Sequence, residues 1–569
     1  MKVQNSASTA EAAFRQAVAL YQSGRLIEAL ASFDRAIHLR PGVPQGHFYR
    51  GLVLYELKRF ETALASYDRA IALRNNFVEA YSNRGNTLVK LKRLDDALAS
   101  FSRAIALEPD YADAYGNRGY ALHTLNRPEE ALANYDRCIA LQPDSAWAHS
   151  NRGNTLLMLC RLNDAIASYD RAIALKPQYA EAYHNRGLAL KTLLGPADAL
   201  ASFEHAIAMR PDYAEAYFNR GMVLKDLKRL DDALASYDRA LALKPDYAEA
   251  YWAKSNLCLL MGDYEQGWQL QEWRLSTGQY KSVIRDSNKP RWVGSSKTQC
   301  SGNAKTLLVY AEAGLGDTIQ YCRYVSLLKD LNIKVLLEVP SSLVTLMSTL
   351  EGPASVVESG KAVSDFDQHC PIGSLPLSLG TTLATIPAKV PYLYADPDKL
   401  ATWRRRLGVK VRPRVGLVWS GQANRAIDSS PAQNRSIPLR LLKPLLQLPF
   451  EFHSLQKDIR PDDAAVLSEI KQIYQHRDDL KDFADTAALI NELDFVISID
   501  TSVAHLVGAL GQQIWVLLPF STDYRWTLTG TTTPWYPTAT LFRQPTIGDW
   551  ESVVSEVANQ LEEYISRTA

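Results

Sequence analysis

Cysteine is sparse, with six residues (Cys138, Cys160, Cys258, Cys300, Cys322 and Cys370) in 569. No two stand as Cys-x-x-Cys, so neither a zinc site nor a disulfide framework is signalled, and a reducing compartment is expected. No apolar run approaches the ~18 residues that a bilayer span requires, and the start MKVQNSASTAEAAF has no apolar signal core. An excess of one charge is also missing: Lys+Arg 63 against Asp+Glu 62 leaves a formal +1. That balance gives no basic footprint for nucleic acid and no attraction to an anionic membrane. The expectation is a soluble, cytoplasmic protein without a bound metal, a nucleic-acid partner or a membrane-inserted segment. At 47% hydrophobic residues the chain is globular throughout, and its length calls for two to four domains.

What is abundant is repetition. Arg-Gly recurs at 50/51, 84/85, 118/119, 152/153, 186/187 and 220/221, a period of 34. An aromatic keeps step at Phe33, Tyr67, Phe101, Tyr135, Tyr169, Phe203 and Tyr237, and so does proline from Pro41 to Pro245, with Asn75 as the exception. Each unit reads as two amphipathic helices joined by a short turn, with small residues such as Gly221, Ala233 and Ala240 where the helices approach closely. This pattern resembles the tetratricopeptide repeat over residues 8–275. Seven units are clear, and an eighth, AYWAKSNLCLLMGDYEQGWQLQEWR, is degenerate and tryptophan-rich, as expected of a repeat that caps the stack and docks on a neighbour.

Asn83, Asn117, Asn151, Asn185 and Asn219 hold one position on the first helix of five successive units. In a superhelix of such repeats the first helices line the concave wall, where an amide column could pair with the backbone of an extended peptide irrespective of its sequence. The array of the O-linked N-acetylglucosamine transferases looks similar, although asparagine is also common at this position in these repeats generally. The neighbouring arginine column is expected to be structural, paired with aspartates such as Asp68, Asp136 and Asp170.

Residues 276–304 lose the period and are rich in Ser, Gly and Lys, which reads as a linker. Beyond it, apolar runs and helical patterns alternate: KTLLVY, DTIQYCRYVSLLKDL, KVLLEVP, SSLVTLMSTL, then RVGLVWSG, FEFHSLQK, DTAALINEL, DFVISID, TSVAHLVGAL and QIWVLLPF. Alternation of this kind predicts doubly wound parallel sheets, two of them, with a cleft between and ligands beyond the carboxyl ends of the strands.

The stretch AEAGLGDTIQ after the first such strand lacks the Lys-Ser/Thr of a P-loop, and Ile319 replaces the third glycine of a dinucleotide fingerprint. Gly314 and Gly316 leave room for backbone to approach a ligand. Asp317 is either a carboxylate at the mouth of the cleft or a helix N-cap, and the residues alone do not choose.

GLGDTIQ together with ISIDTSVAHLVGALG resembles glycosyltransferase family 9, the heptosyltransferase-like enzymes, over residues 305–569. The resemblance implies a GT-B fold, with residues 305–400 as an acceptor-side half and 401–569 as the half that binds a nucleotide-sugar donor. It implies that Asp317 is the general base of an inverting transfer, and that no metal or other cofactor is needed where helix N-termini and cations stabilise the leaving diphosphate. On the donor side it points to Gly314, Gly316, Asn424, Arg435, Lys457, Asp500, Thr501, Ser502 and His505. Lys457 is similar to the diphosphate-binding lysine of the O-linked N-acetylglucosamine transferases. Asp500 suits sugar or ribose hydroxyls better than phosphate, His505 could simply pack, and the aromatics of STDYRWTLTG and TPWYPT suit a core more than a base-binding wall. The expected whole is an all-α tetratricopeptide superhelix followed by an α/β GT-B module, moving a sugar to a protein or peptide hydroxyl held by Asn83, Asn117, Asn151, Asn185 and Asn219. A saccharide or lipid-linked glycan acceptor, with the array used for assembly, and a non-catalytic scaffold are the alternatives, and self-association stays open.

Overall fold

The computed structural model describes residues 2–280, 288–294, 305–363, 365–421 and 431–568. The chain divides into two compact units, Met1–Leu193 and Leu194–Ala569, so the division falls inside the repeats rather than after them.

The first unit is a run of helices from Lys2–Gln22 to Ala180–Leu193, those up to Leu162–Leu175 packed two by two as successive hairpins. The recurring glycine has a steric cause. A Cβ on Gly51 would stand 2.6 Å from Tyr67, on Gly85 2.4 Å from Phe101, and on Gly153 2.6 Å from Tyr169, because the aromatic ring of the second helix lies flat on the first. Those rings are fully buried. The adjoining arginine pairs as expected: the Nε of Arg50, Arg84, Arg152 and Arg186 donates at 2.6 Å to Asp34, Asp68, Asp136 and Asp170. The aspartates remain about half exposed, so each pair contributes roughly 0.2–1 kcal/mol. Where the aspartate is missing, Arg118 donates instead to Asn134 Oδ1 at 2.7 Å.

The second unit begins with the remaining repeat helices and continues into the α/β region. The degenerate last repeat, Ala248–Met261 and Tyr264–Gln271, docks as its tryptophans suggest. Trp268 is buried edge-on against Tyr524 (5.8 Å), Tyr321 and Trp535 (both 6.4 Å). Arg274 follows it into the core and donates to Glu312 at 2.7 Å, with the two side chains only 3% and 0% exposed. Breaking such a pair on one side costs about 3–5 kcal/mol. One repeat earlier, the buried Asp226 accepts from Gln433 at 2.6 Å and from Ser521 at 3.1 Å.

Among the described residues two parallel sheets follow. The first holds β1 (Thr306–Tyr310), β2 (Lys334–Val339), β3 (Pro353–Glu358) and β4 (Gln368–Pro371) in the order β3-β2-β1-β4. The second holds β5 (Arg414–Val418), β6 (Glu451–Ser454), β7 (Ile473–Gln475), β8 (Phe495–Ile499), β9 (Ile514–Leu518) and β10 (Ala539–Arg543) in the order β10-β9-β8-β5-β6-β7. The chain order reverses between β1 and β4 and between β5 and β8, and a crevice opens at the carboxyl ends of such neighbours. Residues 288–294, inside the stretch read as a linker, lie along the first sheet: Trp292 N donates to His369 O at 2.8 Å, and the Trp292 side chain is buried.

Candidate functional site

The stretch DTIQYCRYVSLLKDL folds as two helices, Leu315–Tyr321 and Arg323–Lys329, that meet at Cys322. The N-cap of the first is Gly314, in extended backbone (φ −62°, ψ 162°). The N-cap reading of Asp317 is therefore corrected: the helix starts two residues before it, and its carboxylate goes elsewhere. Oδ1 takes an ion pair from Arg525. Oδ2 has no hydrogen-bond partner among the described residues.

The end of β8 supplies the opposing wall. Thr501 is the N-cap of the helix Ser502–Ala509, yet its side chain makes no capping bond and lies 3.3 Å from Ser498 Oγ. The first-turn N–H groups of that helix are left for an anion, which the helix dipole favours. Gly316 packs directly on this helix: a Cβ there would stand 2.9 Å from His505 Cδ2 and 3.3 Å from Ser502 Cα. His505 is both packed and placed at the cavity. Its ring stacks on Trp526 at 5.5 Å, Nδ1 meets the Tyr536 hydroxyl at 2.9 Å, and Nε2 is 3.8 Å from Asp500 Oδ1. Burial, reinforced by the Arg525 charge, holds the imidazole well below its usual range. It is thus a neutral group, able to address a hydroxyl but not to serve as a cation for phosphate.

These elements enclose a cavity of about 480 Å³ at the carboxyl ends of the strands. Gly314, Gly316 and Asp317 line it from the first sheet, and Arg435, Lys457, Asp500, Thr501, Ser502 and His505 from the second. Asn424 lies outside the described residues. Arg435 Nη1 is 3.3 Å from Asp500 Oδ2 and the side chain is 40% exposed; among the described residues its guanidinium has further donors for a ligand. Lys457 is exposed, and among the described residues Nζ reaches only the Lys481 carbonyl, at 3.4 Å.

Several lining residues escaped sequence reasoning. Gln456 ties the loops after β5 and β6 together: Oε1 accepts from Ser420 N (3.1 Å), and Nε2 donates to Ser420 O (2.9 Å) and Asp458 O (2.8 Å). Ser420 is 1% exposed, lines the cavity, and its hydroxyl finds no partner among the described residues. Arg525 sits in the stretch read for its aromatics alone, which are core: Tyr524, Trp526, Trp535 and Tyr536 are all buried.

The asparagine column is half-buried on its helices. The side-chain amides of Asn83, Asn151 and Asn219 donate to the carbonyls of Glu79, Trp147 and Glu215 on their own helices at 2.8–2.9 Å. Asn185 donates to Asn154 Oδ1 at 2.9 Å. Asn117 sits at the equivalent place in its repeat, on the helix Ala112–Thr124.

Comparison with known proteins agrees with the repeats. Family models described as TPR repeat match residues 51–92, 85–126 and 161–193, and tetratricopeptide models match 112–145, 214–247 and 4–44. The chain carries tetratricopeptide repeats. Protein FlbA of Caulobacter vibrioides is 28% identical over 340 residues, 55% of this chain and 54% of FlbA, so the chain spans about half the length of that relative. Among solved structures, YrrB, described as a TPR protein with an unusual peptide-binding site, is 24% identical over 33% of this chain and 97% of its own (TM-score 0.29). A tetratricopeptide repeat protein from Parabacteroides merdae is 17% identical over 43% and 98% (TM-score 0.37). Among the described residues, no helix is long and apolar enough to cross a membrane.

Proposed function

We propose that the chain is an inverting, metal-independent glycosyltransferase of GT-B type that moves a sugar from a nucleotide-sugar donor to a protein or peptide hydroxyl offered by the repeats. The observation that carries this is the cavity at the carboxyl ends of both sheets, with the Asp317 carboxylate on one wall and an uncapped helix N-terminus on the other. In the transfer, Asp317 Oδ2 accepts the proton of the acceptor hydroxyl, and the acceptor oxygen bonds to the anomeric carbon. The bond from that carbon to the diphosphate breaks, leaving its electron pair on the diphosphate oxygen. The N–H groups at Ser502, the Ser420 hydroxyl, Arg435 and Lys457 are the groups suited to that charge. Asp500 and neutral His505 suit hydroxyls of the sugar or ribose.

A second reading has its own support. The amides of Asn83, Asn151 and Asn219 already donate within their helices, which favours a saccharide or lipid-linked acceptor, with the repeats serving assembly. The first test is a panel of UDP-, GDP- and ADP-sugars scored for hydrolysis and for a raised unfolding temperature. At least one donor should do both, and a panel that neither reacts nor stabilises would leave a repeat scaffold with a transferase-like module.

A further inference from the structure

We infer that Arg525 is the positioning residue for the catalytic carboxylate, clamping Asp317 from the opposite sheet so that Oδ2 alone faces the acceptor. The inference rests on Asp317 acting as the base.

Arg525 lies in the 3-10 turn Tyr524–Trp526 after β9, and its side chain is 12% exposed. All of its nitrogens are engaged. Nε donates to Gln320 Oε1, Nη1 to Asp523 Oδ1 at 3.0 Å, and Nη2 to both Asp317 Oδ1 and the Tyr321 hydroxyl, the latter at 3.2 Å. Three of the four partners belong to the helix that begins at the glycine loop, so the guanidinium is wedged against that helix rather than waiting for an anion. Burial works against its charge, but Asp523, Tyr524, Tyr321 and Asp317 together outweigh it and hold the group charged. A planar fork engaged at all three nitrogens fixes orientation as well as distance.

This differs from a phosphate-binding arginine. Such a residue keeps donors for the ligand, as Arg435 does with one partner among the described residues. The surroundings stiffen the clamp further. The Tyr321 hydroxyl also pairs with that of Tyr524, and both rings pack edge-on to Trp268 of the last repeat. With Oδ1 held, rotation of the carboxylate would break the ion pair to Arg525, and the oxygen left to accept a proton is the one next to Gly314, whose Cβ would stand 3.3 Å from Oδ2.

The experiment is a cycle of Arg525→Lys and Asp317→Ala, singly and combined, on the full chain. It reads hydrolysis of whichever UDP-, GDP- or ADP-sugar the panel selects and, by calorimetry, binding of the matching free nucleoside diphosphate. Lysine keeps the charge but not the fork. Turnover of Arg525→Lys should fall roughly 10- to 100-fold with nucleotide affinity within about twofold, and in the Asp317→Ala background it should change nothing more. Equal losses in both backgrounds, or wild-type turnover in the single variant, would overturn the clamp. If Arg525→Lys does not fold, Asp523→Asn, which loosens one anchor of the guanidinium, decides by the same two criteria. Wild-type turnover in Asp317→Ala alone would sink the base itself, an outcome distinct from failure of the clamp.

Discussion

Gly316 and His505 lie against each other across the two sheets, close enough that a Cβ on Gly316 would stand 2.9 Å from His505 Cδ2. Glycine is needed there for proximity rather than for a left-handed turn. His505 cannot retreat, because Trp526 stacks on its ring and Tyr536 holds Nδ1. Gly316→Ala should therefore push the glycine loop away from the helix Ser502–Ala509. Overpacking of this kind costs about 1–3 kcal/mol, visible as a lower midpoint in urea unfolding and as weaker nucleoside diphosphate binding. A variant equal to wild type in both would mean the two walls are not held in register by this contact.

Lys457 should contribute to diphosphate binding because, among the described residues, it makes no ion pair and borders the cavity. Lys457→Ala is expected to weaken nucleoside diphosphate binding by about 1.5–3 kcal/mol, the range for hydrogen bonds to charged groups. Titration calorimetry reads it directly, and equal affinities would place the diphosphate elsewhere.

The pair His453 and His476 predicts an acid limit to stability. Their Nδ1 and Nε2 are 3.0 Å apart in the core, and burial, then each ring's charged neighbours, pushes both down to about 4 from 6.5. Between pH 6.5 and 4 the unfolded chain takes up protons that the folded one refuses, so stability is full above 6.5 and falls as pH drops through that window. The unfolding temperature should fall across this range, and His476→Phe should flatten the fall. A parallel profile for the variant would assign the acid sensitivity to other groups.

Changing Asn117, Asn151 and Asn185 together to alanine separates the acceptor classes. Three lost backbone contacts at about 0.5–1.5 kcal/mol each would lower affinity for a protein acceptor by roughly 10- to 1000-fold. Donor hydrolysis should continue, because the cavity is built from residues beyond 313, and the helices should hold, since alanine is the better helix former. Unchanged modification of a protein acceptor by a folded triple variant would favour the assembly role.

Those partners differ in how legible they were. The repeats show through because a fixed 34-residue period places Gly51, Gly85 and Gly153 under successive aromatic rings. The central strands show because parallel strands covered on both faces become apolar runs, as in Phe495–Ile499, where every residue is buried. β3 is a half-exposed edge and β7 only three residues long, so neither carries such a run. The break at Cys322 leaves no mark in a helical pattern. Nine of the ten residues anticipated for catalysis and donor binding line one cavity, because motifs at strand ends converge there by topology. Arg525 was invisible for the opposite reason: its partner Asp317 is 208 residues away, and nothing near DYRW announces a carboxylate across the cleft. Asp226, satisfied by Gln433 and Ser521 at separations of 207 and 295, was hidden in the same way.

The most direct test of the account is turnover of Asp317→Ala on the selected nucleotide sugar, set against its affinity for the free nucleoside diphosphate. A base whose only task is proton transfer should cost roughly 10²–10⁴-fold in turnover when removed, with nucleotide affinity nearly unchanged. Turnover near wild type would contradict the account, leaving Asp317 as the ion-pair partner of Arg525 and nothing more.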